Sequence, residues 1–128
     1  MDSIVFGPDL ALGIPVMDQS HRIIFELLET MRHLPRPAFD EACQRLATEL
    51  ATDLNEETRL MRAINYAPAD VHKAAHNGIL TAISQAQCQL ASDDEFEARE
   101  IIRSLPDWLE AHINTMDLAL AVALTKLK

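Results

Sequence analysis

Glycine is scarce in this chain, with 3 residues in 128, and aromatic residues make up only 5%. Scarce glycine disfavours a fold of strands joined by many tight turns. Ala, Leu, Glu and Gln are plentiful instead, a balance that favours helices. No Lys/Arg cluster is present and the net charge is −9, which argues against nucleic-acid or acidic-lipid partners. No apolar run approaches the ~20 residues of a membrane span. The start, Met1-Asp2-Ser3, lacks the basic residues of a secretory signal, so a cytoplasmic location is expected. The 2 cysteines, Cys43 and Cys88, are too few for a disulfide framework and lack zinc-ligand spacing. About half of the residues are apolar, enough for one core in one domain spanning 1–128.

Residues 1–16 read as an irregular arm, broken by Gly7-Pro8, Gly13 and Pro15. Four helices are expected at about 18–34, 38–63, 69–91 and 94–127. Asp18 or Ser20 is the expected cap of the first, and Ser92-Asp93-Asp94 stops the third and caps the fourth. Pro106 is expected to kink or split the fourth helix near Arg103, because proline lacks the N–H and its ring crowds the preceding turn. Long helices with short connections predict an all-α, up-down-up-down antiparallel four-helix bundle.

His72 and His76 share a helix face at i, i+4, as do Asp53 and Glu57 on the preceding helix. His112 and Asp117 lie on the last helix at i, i+5, a less regular spacing. His21 opens the first helix. In an antiparallel bundle, height follows from distance to the turn at ~1.5 Å per residue. Measured from a turn near Asn65, Glu57 lies 8 residues before and His72 lies 7 after. Asp53 lies 12 before and His76 lies 11 after. The turns near Arg36 and Asp93 bring His21 and His112 to the same slab. His33 is ~18 Å further along its helix and cannot join. By the same measure Cys43 and Cys88 fall at similar levels, and a redox-sensitive disulfide between them is conceivable, though a cytosolic compartment and unknown facing argue against it.

Lone histidines on helices are usually surface or core residues, and most carboxylates are solvated. Seven ligand-type residues from four helices at one level are another matter. Buried together without a cation, the carboxylates would be unpaired and costly. Imidazole with carboxylate and no thiolate suits Fe, Mn or Zn, and the ligand count exceeds one tetrahedral site. Two ions are therefore expected, as in di-iron bundles.

The segments LGIPVMDQSHRIIF (12–25), EETRLM (56–61), NYAPADVHKAAH (65–76) and WLEAHINTMD (108–117) carry a resemblance. The chain resembles the hemerythrins, of the bacterial single-domain type, over nearly its full length. The resemblance implies a non-haem di-iron centre, oxo- or hydroxo-bridged, that binds O2 reversibly when reduced. It implies that His72, His76 and His112 ligate one iron, that His21 ligates the other, and that Glu57 and Asp117 bridge them. The family has a further histidine ligand four residues before the bridging glutamate, where this chain has Asp53. It usually has a second acidic residue after that glutamate, here Thr58, and an arm aromatic that is usually Trp, here Phe6.

Asp53 leaves three outcomes open. It ligates the second iron directly or through water; or the position is empty and solvent completes the coordination; or the second metal is weakly held and the site often mononuclear. Extra negative charge favours ferric iron, so faster autoxidation than in typical hemerythrins is expected. Candidate walls of a dry ligand pocket are Ile24, Phe25, Met61, Trp108, Leu109, Ile113 and Met116, all of which also suit an ordinary core. The leading functional reading is storage, delivery or sensing of O2, or of NO. The alternatives are a di-iron enzyme acting on O2 or peroxide and a redox- or gas-sensing interaction domain.

Overall fold

A computed structural model describes residues 4–126; Met1 to Ser3 of the arm and the expected last helical residue, Leu127, lie outside the described residues. After a short 3-10 turn at Pro8–Leu10 come α1 (Pro15–Met31), α2 (Ala38–Ala63), α3 (Ala69–Ala91) and α4 (Glu95–His112). A π-helical turn, Ile113–Asp117, leads without interruption into α5 (Leu118–Thr125). The pairs α1/α2, α2/α3, α3/α4 and α1/α4 pack together, so the described residues form a closed, all-helical four-helix bundle with α5 extending its last arm.

The helix ends follow from local chemistry. Pro15 occupies the first position of α1, where its missing N–H costs no bond. The expected caps differ from what is found: Ile14 precedes the helix in extended backbone, and Asp18 sits one turn inside. The Asp18 carboxylate instead accepts the N–H groups of Leu12 (2.8 Å) and Gly13 (3.0 Å), tying the arm to the helix start. α1 also ends earlier than expected, at Met31, and a turn through Leu34 fills the difference.

α2 and α3 stop in the same way. Asn65 (φ 50°) and Asp93 (φ 59°) take left-handed backbone just beyond each helix. The following N–H groups, of Tyr66 and Asp94, donate back to Met61 (3.0 Å) and Gln89 (2.8 Å), the paired bonds of a Schellman stop. Asp94 then caps α4 as expected, accepting the Glu97 N–H at 3.0 Å.

α4 runs as one helix through Pro106, so of the kink or split expected near Arg103 there is no split. The Ser104 hydroxyl donates to the Ile101 carbonyl (2.6 Å) in the turn before the proline. The irregularity of this arm falls later, at the π turn. The cysteines diverge: Cys43 is buried and Cys88 exposed, both as free thiols, so the conceived disulfide is absent.

The core falls into two parts. A large cluster includes Leu28, Leu46, Leu50, Ile79, Ile83 and Ile102. A small one joins Met17, Met61 and Leu120, with Tyr66 packed against it. His21 is one turn after Met17, Glu57 one turn before Met61, and Asp117 three residues before Leu120. The polar slab therefore lies between two apolar layers. Among the described residues, no helix is long and apolar enough to cross a membrane.

Candidate metal centre

All seven residues singled out for the slab are buried, at 1–8% exposure, and converge. They form two groups whose donor atoms lie within 4.8 Å of one another: Glu57, His72, His76, His112 and Asp117 in one, and His21, Asp53 and Glu57 in the other. His33 stays outside, exposed and within 3.8 Å of Glu29 on the same helix.

The π turn explains how the last helix contributes two donors. In a regular α-helix, residues five apart point about 140° away from each other. Here the Leu118 N–H donates to Ile113, five residues back. The widened turn brings His112 and Asp117 to one face, and the irregular i, i+5 spacing is the trace of it.

Glu57 and Asp117 each divide their two oxygens between the groups. Glu57 Oε1 is 3.1 Å from both His72 Nε2 and His76 Nε2. Asp117 Oδ1 is 2.9 Å from His72 Nε2 and 3.1 Å from His112 Nε2. Glu57 Oε2 and Asp117 Oδ2 each stand 3.2 Å from His21 Nε2. Asp53 Oδ1 completes that side at 3.6 Å from the same nitrogen.

The electrostatics are those of a cation site. Burial by itself would lower the His21 pKa, but hydrogen bonds to Asp117 and Glu57 outweigh it and raise the value to about 10. His72 rises to about 9 by the same opposition, against Asp117 and Glu57. Burial would raise Glu57, yet hydrogen bonds from His21, His72 and His76 hold it down at about 2. Asp117 is likewise held far below the carboxylate range by His112, His21 and His72, against the pull of burial. Asp53 goes the other way: burial first, then the charge of Glu57, pushes it up to about 8.

These residues fit a metal. His76 Nε2 and His112 Nε2 face each other at 3.0 Å and each lies 3.1 Å from a carboxylate oxygen, of Glu57 and Asp117, so one ion can take both nitrogen lone pairs beside two oxygens. Asp53 Oδ1 is buried with no hydrogen-bond partner. Donors about 2.1 Å from one ion in octahedral array stand about 3.0 Å apart, which matches the 2.9–3.1 Å spacings of the three-histidine group.

The expected wall residues divide. Ile24, Phe25, Leu109 and Ile113 are buried in the large cluster. Trp108 is half-buried and stacks on His112, with ring centroids 4.8 Å apart and planes at 11°. Met61 belongs to the opposite, smaller layer, and Met116 is half-buried. Phe6 packs against Phe25 at 6.1 Å, and Arg22 lies over its ring. Sequence reasoning passed over Met17, Leu120 and Tyr66, which close the site from that side. Their positions one turn from His21, Asp117 and the α2 end were the available signal. Tyr66 has its pKa raised, by burial and then by the charge of Asp117.

The fold and this cluster define a class: a four-helix bundle with a buried histidine–carboxylate centre for a non-haem metal. A family model for the hemerythrin HHE cation-binding domain matches residues 12–124, and the chain belongs to that family. It is similar to the bacteriohemerythrin of Ralstonia nicotianae (strain ATCC BAA-1114 / GMI1000), 24% identical over 117 residues that cover 91% of this chain and 85% of the relative. It is also similar to the bacteriohemerythrin of Stenotrophomonas maltophilia (strain R551-3), 26% identical over 125 residues that cover 94% of this chain and 81% of the relative. No solved structure matches the chain at a significant level. Membership implies that the histidine, glutamate and aspartate cluster binds non-haem iron.

Proposed function

We propose that the chain holds two iron ions and binds O2 at that centre, with NO as a second ligand of the same size. The carrying observation is the division of oxygens by Glu57 and Asp117, one from each residue toward His21 and one toward the other three histidines. A carboxylate that serves one ion has no need to face two imidazole groups; one that bridges two ions does. His72, His76 and His112 would hold one iron, His21 and Asp53 the other, with Glu57 and Asp117 between them.

A reduced iron pair supplies the two electrons that reversible O2 binding draws on. The protein's own residues set the conditions. Glu57 and Asp117 keep the four histidines aimed inward, and Trp108 fixes the plane of His112 by stacking. Ile24, Phe25, Leu109 and Ile113 are buried beside the centre and keep bulk water from it. A cavity of about 530 Å³ opens near Leu28, Phe39, Ile102 and Pro106, but none of the seven site residues lines it. The seven residues are at most 8% exposed, which favours a diatomic gas over a metabolite.

Asp53 favours a second reading, an enzyme that reduces O2 or peroxide, because a third buried carboxylate stabilises ferric iron. The two are separated by reducing the iron-loaded protein without air and then admitting O2. A spectrum that forms at once and reverses on O2 removal supports carriage. Continuous O2 consumption with a reductant present supports the enzyme. No spectral change and no consumption would refute both.

A further inference from the structure

The two groups of donors differ in chemistry. The group at His72 offers three imidazole nitrogens and two carboxylate oxygens. The group at His21 offers one imidazole nitrogen and two carboxylate oxygens, from Asp53 and Glu57, with Asp117 Oδ2 3.2 Å from that nitrogen. Imidazole suits iron, whereas carboxylate suits manganese, and the advantage of Fe2+ over Mn2+ shrinks as nitrogen donors are replaced by oxygen.

Resting on the two-ion reading, we infer that the position between His21 and Asp53 accepts Mn2+ as well as Fe2+, so that the chain forms a mixed iron–manganese centre when manganese is in excess. Asp53 is the source of the difference. Its carboxylate is 4% exposed and points into the centre, and its Oδ1 has no hydrogen-bond partner. His21, at 3.6 Å, is the cationic side chain recorded within 4 Å of it among the described residues, and His21 is already shared with Glu57 and Asp117. A buried carboxylate oxygen with no partner, once it gives up its proton, is best met by a hard cation. The three-histidine position has no such oxygen of its own and keeps its preference for iron.

The test uses the full chain, stripped of metal and refilled without air. Two equivalents of Fe2+ and a tenfold larger amount of Mn2+ compete, free metal is removed, and bound metals are counted per chain. The expected result is about one Fe and one Mn. In Asp53→His the Mn content falls by about tenfold and a second Fe takes its place. Asp53→Asn, of the same size but uncharged, also loses Mn while keeping Fe at the three-histidine position, and circular dichroism confirms that both variants remain helical. Two Fe and no Mn in the unaltered chain overturns the inference and leaves the two-ion reading standing. Equal Mn in the unaltered chain and in Asp53→His also overturns it. A total of one metal per chain overturns the two-ion reading itself.

Discussion

Glu57 and Asp117 stand on different helices, yet both place one carboxylate oxygen 3.2 Å from the same nitrogen of His21. Their other oxygens turn away together, toward His72, His76 and His112. Removing one oxygen's charge from this pair should therefore affect both groups at once. Glu57→Gln is expected to lower iron content below one per chain, not merely by one ion. Elemental analysis checks this, and an unchanged content would show that Glu57 is not shared.

Trp108 is expected to matter through His112 and not through bulk alone. Replacing it with Leu keeps an apolar side chain but removes the stacked ring. The predicted loss is about 1 kcal/mol of stability and about tenfold in metal affinity, the scale for groups that orient a ligand. Chelator competition measures the affinity. A stability loss without an affinity loss would reduce Trp108 to packing.

The metal-free protein should respond to pH in a definite direction. His21 and His72 are raised to about 10 and about 9, so their contribution is fully present below pH ~6.5 and is lost as pH climbs through 9–10. Asp53, raised to about 8, adds a loss of the same sign from pH ~4 up to 8. Glu57, held at about 2, contributes above pH ~4.5 and is lost only as pH falls toward 2. Metal binding needs the histidines deprotonated. The gap in melting temperature between metal-loaded and metal-free protein should therefore widen from pH 6.5 to 9. A gap that narrows over that range would contradict the assigned proton positions.

Asp53→His is expected to slow autoxidation. The substitution removes a buried carboxylate and so weakens the preference for ferric iron. Stopped-flow spectra of reduced protein mixed with O2 give the rate. An equal or faster rate in the variant would show that the charge of Asp53 does not set it.

Much of this architecture was legible because helical periodicity and turn residues act locally. Asn65 and Asp93 mark where α2 and α3 stop, and the heights counted from those turns and from the one near Arg36 place all seven inward-facing polar residues at one level. The misreadings have physical causes as well. Pro106 carries a strong local signal, but an 18-residue helix packed on α3 tolerates the missing bond. The π turn has no residue signature of its own; only the five-residue interval between His112 and Asp117 betrays it. Asp18 looked like a cap by type, whereas Pro15 had already set the helix start. Which oxygen of Glu57 faces which histidine depends on side-chain geometry that no spacing rule supplies.

The most direct measurement is iron per chain after anaerobic refilling with Fe2+ alone, made on the unaltered protein and on His21→Ala. The two-ion centre predicts about two irons in the first and about one in the second, the three-histidine position being retained. One iron in the unaltered protein, or no difference between the two, would contradict it.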